Sequence, residues 1–250
     1  MLYFIGAGPG DVDLITVKGR DILTKCDVVI YAGSLVNAKH LEFCRKECEI
    51  YNSANMTLED VINVIKEKHS EGKTIVRLHT GDPSIYGAIK EQMDELDMLS
   101  IDYEVIPGVS SFTAAAAAIK KEFTLPSVSQ TVILTRVEGR TPVPEKEDLE
   151  GLAAHKASMA LFLSVSMIDK VVDKLKKGYG TGTVPIAVIE KATWEDERII
   201  VGTLDDISQK VKEAGIKKTA QILVGEFIDC EYEKSLLYDK HFTHEFRKGV

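Results

Sequence analysis

Three short glycine-containing segments in the first half of the sequence have the residue types of ligand-binding loops. They are Gly6-Ala7-Gly8-Pro9-Gly10-Asp11, Thr80-Gly81-Asp82-Pro83 and Pro107-Gly108-Val109-Ser110-Ser111. Glycine lets the backbone approach a ligand closely, while serine, threonine and aspartate offer oxygen atoms for hydrogen bonds. Each segment alone is a weak signal. Each also follows a short apolar run typical of a strand, so all three loops can line one crevice.

The first loop admits three interpretations. A pyrophosphate site of the G-x-G-x-x-G kind fits poorly, because the third glycine comes one residue early and Pro9 removes an amide hydrogen. Asp11 and Asp13 would also repel phosphate. A structural turn and a close-approach loop for an uncharged or cationic ligand remain, and the residues favour the latter.

The acidic residue of the second loop, Asp82, is also open to two interpretations. A carboxylate at this position suits a ribose hydroxyl, an ammonium or a sulfonium better than a phosphate. Alternatively, Asp82 and Pro83 form an Asp-Pro turn that caps the following helix.

The elements that would position these loops alternate between strands and helices, which predicts an α/β fold with a mostly parallel first sheet. A helix is predicted after Thr57, where Thr57-Leu58-Glu59-Asp60 resembles a capping box. The predicted strands are 2–5, 27–31, 74–79, 103–106, 131–136, 159–163, 184–189, 198–201 and 221–224. The later strands lie closer together, so we expect an antiparallel or mixed second sheet. The predicted domains are 1–112 and 113–230, followed by a tail over 231–250.

Bulk composition excludes several classes of protein. The chain has 250 residues and a net charge of −8, from 31 basic and 39 acidic side chains. A general nucleic-acid binder needs a basic surface, so we expect no nucleic-acid partner. We find neither a basic leader nor an apolar run of about 20 residues, and therefore expect a cytoplasmic protein without a membrane partner.

The cysteines do not predict a metal site. His40, Cys44 and Cys48 follow one another in steps of four, as on one face of a helix. Eight helical residues rise about 12 Å, whereas zinc–ligand bonds are about 2.0–2.3 Å long. One ion could not reach all three side chains. We therefore expect no protein-bound metal.

In their order along the chain, the three loops resemble the signatures of the tetrapyrrole methylase family. The resemblance extends roughly over residues 2–229 and includes Ala160-Leu161-Phe162-Leu163 and the segment 185–193. It implies two α/β domains with S-adenosylmethionine in the cleft between them, and usually a homodimer. It also implies a methyltransferase with a tetrapyrrole or corrinoid substrate.

Two further segments resemble the members of this family that methylate C-11 of precorrin-4, with or without cobalt, in corrin ring biosynthesis. They are 131–145 and Tyr31-Ala32-Gly33-Ser34-Leu35-Val36. Members that methylate uroporphyrinogen III typically carry aspartate where this chain has Ala32, which argues against that substrate. The alternatives are another tetrapyrrole methylase, such as a uroporphyrinogen III C-methyltransferase, or a non-catalytic S-adenosylmethionine-binding module.

The resemblance also implies site residues. The cofactor contacts carried over, with Tyr86 added from its neighbourhood, are Pro9, Thr80, Gly81, Asp82, Ile85, Tyr86, Ser110, Ser111, Leu163, Ala192, Thr219 and Ala220. The implied macrocycle carries several carboxylates, so cationic side chains should face it. The predicted substrate contacts are Arg136, Glu138 and Arg140, because they lie in the loop that most distinguishes this subfamily, and His79 at the end of strand 74–79. The alternatives are a solvated or dimer-contact loop and a structural histidine. No residue is identified as a catalytic acid or base.

Overall fold

The computed structural model describes residues 1–249; Val250, the end of the predicted tail, lies outside them. The chain divides into two compact units. The first combines Met1–Ala114 with Lys191–Asp196, and the second holds the rest of the described chain. The first unit is therefore assembled from two separate stretches of sequence. The boundary at 112/113 and the separate tail stay predictions.

The first unit contains a five-stranded sheet in the order β3-β2-β4-β1-β5. Its strands are β1 (Leu2–Gly6), β2 (Val28–Tyr31), β3 (Glu49–Asn52), β4 (Ile75–His79) and β5 (Tyr103–Ile106). Every neighbouring pair is parallel. The parallel sheet and four of its strands were predicted from the sequence, whereas β3 was not.

Apolar side chains on both faces of this sheet explain its central position. Phe4 and Ile30 belong to one buried cluster, while Ile5 and Val29, one residue away in each strand, belong to another. Successive side chains of a strand point to opposite faces, so near-continuous apolar strands must be covered on both sides. The helices that the first unit supplies are α1 (Val17–Leu23), α2 (Leu58–Ser70), α3 (Lys90–Met98) and the start of α4 (Ser111–Ala118).

The predicted start of α2 is confirmed. The Thr57 hydroxyl accepts a hydrogen bond from the Asp60 backbone N–H at 3.2 Å, and the Asp60 carboxylate accepts one from the Thr57 N–H at 2.9 Å. This reciprocal capping box satisfies two amide groups that a helix start otherwise leaves unpaired. Val61, Ile62 and Ile65 then face the core.

The second unit contains a mixed five-stranded sheet in the order β6-β7-β10-β8-β9. Its elements are β6 (Val132–Thr135), α5 (Leu149–Ala153), β7 (Ser158–Leu161), α6 (Ile168–Tyr179), β8 (Pro185–Glu190), β9 (Arg198–Thr203), α7 (Ile207–Glu213) and β10 (Ala220–Val224). Only β6 and β7 pair in parallel; the other pairs are antiparallel. The predicted mixed sheet is confirmed.

The helical spacing assumed for His40, Cys44 and Cys48 is wrong. A 3-10 helix covers Ala38–Phe43, and Cys44 ends it in an extended conformation. The chain then turns before β3, so Cys44 and Cys48 do not lie along a helix axis. Across residues 1–249, no helix combines the length and apolar composition that crossing a bilayer requires.

Candidate functional site

The three glycine loops meet at one edge of the first sheet. They follow β1, β4 and β5, which are neighbouring parallel strands whose carboxyl ends lie at the same edge. Gly8 and Gly81 form a short antiparallel bridge: the Gly81 N–H donates to the Gly8 carbonyl at 2.8 Å, and the Gly8 N–H to the Gly81 carbonyl at 3.3 Å. The first and second loops are thus held together by their backbones.

The backbones at this meeting point are too close for side chains. A Cβ on Gly108 would lie 2.2 Å from the Gly81 carbonyl oxygen and 2.8 Å from the Gly6 Cα. A Cβ on Gly6 would lie 2.5 Å from the same oxygen. Gly81 itself has φ +61°, in the left-handed region that favours glycine. Glycine is therefore required here for packing of the loops.

The Asp82 carboxylate joins the second loop to the third. Its Oδ2 accepts a hydrogen bond from the Gly108 N–H at 2.9 Å, and its Oδ1 accepts from the Ser84 N–H at 2.8 Å and the Ser84 hydroxyl. Partial burial raises the pKa of Asp82, but these donors from Ser84 and Gly108 outweigh it and leave the pKa below its ordinary value. Asp82 is ionised at neutral pH and forms the predicted turn, although α3 begins only at Lys90.

Pro9 and Ala192 lie in one part of the first unit. The Pro9 carbonyl accepts a hydrogen bond from the Trp194 indole Nε1–H at 2.9 Å, and the Asp11 N–H donates to the Thr193 hydroxyl at 3.0 Å. Thr193 has φ +70°, and Ala192 is buried. The structure thus brings the predicted position Ala192 next to the first loop, although they are far apart in sequence.

Ser110 and Ser111 lie at the start of α4. The Ser110 carbonyl accepts from the Thr113 hydroxyl at 2.7 Å and from the Ala114 N–H at 3.3 Å. A Cβ on Gly81 would lie 3.8 Å from the Ser110 Cα and from the Ser111 nitrogen. The predicted positions Gly81, Asp82, Ser110 and Ser111 therefore lie together at the loops.

A second group of predicted residues lines a pocket of about 270 Å³ within the first unit. Four predicted positions contribute to its wall: His79, Thr80, Ile85 and Tyr86. Tyr86 is half exposed and has φ 55°. A tyrosine in the left-handed region is strained, and such strain tends to occur at functional sites.

Arg77 is a further residue of this pocket, and sequence reasoning missed it. Its side chain is buried; Nε donates to the Gln92 Oε1 at 3.1 Å and Nη1 to the Ile30 carbonyl at 3.1 Å. Burial lowers the pKa of Arg77 to about 10, so the guanidinium stays charged at neutral pH. No carboxylate pairs with it among the described residues. The available signal was a lone arginine inside the apolar strand Ile75–His79.

His79 lies next to this charge. It is 5% exposed, and its Nε2 has no hydrogen-bond partner. Burial, and then the charge of Arg77, lower the pKa of His79 to about 3. A neutral imidazole and an unpaired guanidinium therefore line one pocket, and both can donate hydrogen bonds to an anion.

In the second unit, the remaining predicted cofactor positions lie at one edge of the mixed sheet. Leu163 comes two residues after β7, and Ala220 begins β10, which pairs with β7 through Ile222 and Leu161. The prediction that Leu163 belongs to a strand is wrong, because β7 ends at Leu161 and Leu163 has φ 53°. Leu163 is also 66% exposed, and Thr219 has φ 53°.

The loop after β6 starts at the same edge, because Thr135 pairs with Leu161. The Arg136 guanidinium donates to the Thr141 carbonyl at 3.2 Å and the Pro142 carbonyl at 2.6 Å, so it braces its own loop.

Glu138 fixes this loop to α6. It pairs with Lys170 at 2.7 Å and Lys174 at 3.3 Å, and the bond from Lys170 in particular lowers its pKa to about 2. Arg140 is exposed and makes no hydrogen bond or ion pair within residues 1–249. Among the three predicted substrate contacts in this loop, Arg136 and Glu138 are engaged within the chain, whereas all guanidinium N–H groups of Arg140 are available to a ligand.

Comparisons with known proteins agree with this architecture. The model of the family Tetrapyrrole (Corrin/Porphyrin) Methylases matches residues 1–208. A cobalt-precorrin-4 C(11)-methyltransferase from Methanocaldococcus jannaschii is 60% identical over 249 residues, which cover 99% of this chain and 96% of that protein.

Two solved structures are similar as well. The X-ray structure of a cobalt precorrin-4 methyltransferase of cobalamin biosynthesis has a TM-score of 0.90 and 48% identity, covering 92% of this chain and 96% of that one. A uroporphyrin-III C-methyltransferase from Thermus thermophilus, complexed with S-adenosylhomocysteine, has the same fold, with a TM-score of 0.77, 23% identity, and coverage of 93% and 95%. The chain belongs to the tetrapyrrole methylase family.

Proposed function

We propose that this protein is an S-adenosylmethionine-dependent C-methyltransferase that methylates C-11 of cobalt-precorrin-4, or of precorrin-4, during synthesis of the corrin ring. The observation that carries this proposal is 60% identity to a cobalt-precorrin-4 C(11)-methyltransferase over nearly the full length of both chains. The similar X-ray structure bears the same cobalt-containing substrate in its name. Cobalt-precorrin-4 is therefore the preferred substrate in this proposal.

The proposed cofactor is S-adenosylmethionine, whose sulfonium supplies an activated methyl group. The residues at the three loops fit such a ligand. Gly6, Gly81 and Gly108 bring backbone groups together without side chains, and the Asp82 carboxylate, which joins the second loop to the third, is ionised. A site with an acid and few basic groups suits a cation better than a phosphate. In the second unit, Leu163 combines a left-handed backbone with an exposed apolar side chain, and a contact with the cofactor would explain both.

We place a carboxylate of the substrate in the pocket lined by Arg77 and His79. A buried, unpaired guanidinium is costly, and an incoming carboxylate would offset that cost. The carboxylate would accept hydrogen bonds from Arg77 and from the Nε2–H tautomer of the neutral His79 imidazole. Because the macrocycle carries several carboxylates, Arg140 in the second unit is proposed to bind another.

The proposed contribution of the protein to the reaction is mainly geometric. When bound, S-adenosylmethionine would supply the methyl group: a ring carbon would attack it, the carbon–sulfur bond would break with its electron pair staying on sulfur as a neutral thioether, and the positive charge would pass to the macrocycle. This step develops no oxyanion, so no oxyanion-stabilising group is needed. Holding carbon, methyl and sulfur in line can contribute up to about 7–11 kcal/mol. The rigid backbone contacts among the three loops are suited to that task.

A cytoplasmic location and a homodimer complete the proposal. The homodimer follows from the family resemblance, and the cytoplasmic location from a composition typical of soluble enzymes, with a net charge of −8. The same acidic balance disfavours a nucleic-acid substrate.

The test is a reaction of the purified protein with S-adenosylmethionine and each candidate substrate under anaerobic conditions. We expect mass spectrometry to show one added methyl group on cobalt-precorrin-4 or precorrin-4, and NMR to place it at C-11. Methylation of uroporphyrinogen III alone would assign the protein to another branch of the family. Tight binding of S-adenosylhomocysteine without transfer to any of these substrates would favour a non-catalytic module.

A further inference from the structure

Three of the four cysteines lie together near the amino ends of β2 and β3, whereas the glycine loops follow the carboxyl ends of the strands of this sheet. The Sγ atoms of Cys26, Cys44 and Cys48 are all within 4.8 Å of one another, and those of Cys26 and Cys48 are 3.7 Å apart. Cys26 and Cys48 are buried, whereas Cys44 is half-buried. This cluster has no part in the proposed methyl transfer.

The spacing between the sulfur atoms suits one metal ion. With metal–sulfur bonds of about 2.3 Å, two thiolates on a tetrahedral ion lie about 3.8 Å apart. The Cys26–Cys48 separation is already close to that value, and Cys44 needs only a small side-chain movement. The sequence separation of Cys44 and Cys48 also falls within the C-x₂₋₄-C range of structural zinc sites.

Hydrogen bonds fix the backbone at the cluster. The Arg45 guanidinium is next to the cluster, where Nη2 donates to the Cys26 carbonyl at 3.1 Å and to Asp27 Oδ1 at 2.8 Å. The backbone of Cys26 is therefore held in place beside the other two cysteines before any ion binds.

We propose that Cys26, Cys44 and Cys48 bind one soft divalent metal ion, with Zn²⁺ as the fitting chemistry, through three thiolates. A divalent ion leaves less uncompensated charge on three thiolates, two of them buried, than a monovalent ion does. No fourth histidine, cysteine or carboxylate joins the group in the part of the chain that the structure describes. A water molecule would fill the fourth coordination position of the ion, and it would enter beside Cys44, which is only half-buried.

The ion would connect the starts of two neighbouring strands, β2 and β3. Cys26 lies just before β2, and Cys48 immediately precedes β3, the edge strand. A bound ion would therefore hold the connection between these strands, and it would slow hydrogen exchange of the β3 amides. The metal is structural in this proposal, so its test does not depend on methyl transfer.

The experiment titrates the reduced full-length protein, stripped of metal by a chelator, with Co²⁺ and then with Zn²⁺ in competition with a chromophoric chelator. We expect one equivalent to bind, with intense thiolate-to-cobalt charge-transfer absorption. Cys44→Ser should weaken binding by about a hundredfold or more, beyond the loss that an outer-shell partner causes. Cys230→Ser is the matched control, because Cys230 lies in the second unit, and it should bind like wild type.

Cys44→Ser is chosen first because it removes the least buried thiol; circular dichroism then verifies that the variant is folded. Cys26→Ser and Cys48→Ser should lose the charge-transfer band as well. The proposal is overturned if the wild-type protein gives no such band, if Cys44→Ser binds as tightly as wild type, or if Cys230→Ser loses as much affinity as Cys44→Ser.

Discussion

The Asp82 carboxylate accepts a hydrogen bond from the Gly108 N–H, with Oδ2 and N 2.9 Å apart, and so ties the second glycine loop to the third. The other carboxylate oxygen is occupied by Ser84. Asp82 therefore fixes the position of the loops in addition to providing charge. This arrangement defines what its replacement should do.

Asp82→Ala should weaken S-adenosylhomocysteine binding without unfolding the protein. The variant loses the acceptors for Ser84 and Gly108, which should cost about 1–3 kcal/mol of stability, while the core stays intact. A loop displacement that costs about 1.4 kcal/mol of binding energy lowers affinity tenfold. Calorimetry and thermal melts measure both effects. Asp173→Ala, at an exposed position of α6, is the control; wild-type affinity in Asp82→Ala would contradict a role at the site.

Gly108→Ala and Gly151→Ala should change stability in opposite directions. The new methyl group at position 108 would overlap the Gly81 carbonyl, and the required shift should cost about 1–3 kcal/mol or more. Gly151 is within α5, and apart from its chain neighbours and its own helix backbone nothing lies within 4 Å of its Cβ position, so alanine should stabilise the helix by about 0.5–1 kcal/mol. Urea denaturation of both variants compares them directly. Equal stability of the two variants would show that the loops can shift to accommodate the new methyl group at little cost in free energy.

Arg77→Gln should raise the apparent KM for the macrocycle and leave S-adenosylhomocysteine affinity nearly unchanged. Loss of one charge-assisted contact, worth about 1.5–3 kcal/mol, corresponds to a KM increase of roughly 10- to 150-fold. Steady-state kinetics with calorimetry separates the two ligands. Arg20→Gln, on the exposed surface of α1, should behave like wild type. An unchanged KM in Arg77→Gln would show that no carboxylate of the substrate binds in this pocket.

Arg140→Ala and Arg136→Ala should differ, although both residues belong to one loop. Arg140 makes no hydrogen bond within the described chain, so its loss should raise the macrocycle KM by roughly 10- to 150-fold without lowering Tm. Arg136 braces the carbonyls of Thr141 and Pro142, so its loss should lower Tm and affect KM through the loop. If Arg140→Ala lowers cofactor affinity while KM stays constant, the loop does not contact the substrate.

Acid should destabilise the protein in part through His79. Its pKa is lowered from 6.5 to about 3 by burial and by Arg77, so the unfolded chain takes up a proton below pH 6.5 that the folded chain does not. Stability is therefore lost as the pH falls from about 6.5 towards 3, by up to about 1.4 kcal/mol per pH unit from this group. His79→Gln should flatten that dependence in urea melts. The exposed His155→Gln should retain the full slope, and an equal slope in both variants would refute the argument.

The sequence predicted most of the fold because strand and helix periodicities are local. The strand at 103–106 and the capping box at Thr57 need only neighbouring residues. By contrast, β3 alternates exposed and half-buried side chains at a sheet edge, and its Ile50 is half exposed, so it lacks an apolar signature.

The candidate site was predictable only in part. The glycine loops follow predicted strands, and their residue types and their order along the chain can be read from the sequence. Arg77 was missed because a charge inside an apolar strand looks like an interruption until its burial is known. The cysteine cluster was missed because it depends on the 3-10 helix at Ala38–Phe43 ending before Cys44 and on the return of the chain to Cys26.

The position of Trp194 has a consequence for biosynthesis on the ribosome. Its indole donates to the Pro9 carbonyl, and a Cβ on Gly10 would lie 2.1 Å from the Trp194 ring. Because Lys191–Asp196 belongs to the first unit, a nascent chain that has released only residues 1–114 cannot complete that unit. The first loop reaches its final packing only after the chain has been synthesised past Asp196. An excised fragment of residues 1–114 would leave the Pro9 carbonyl without the indole donor and the surface of Gly10 uncovered.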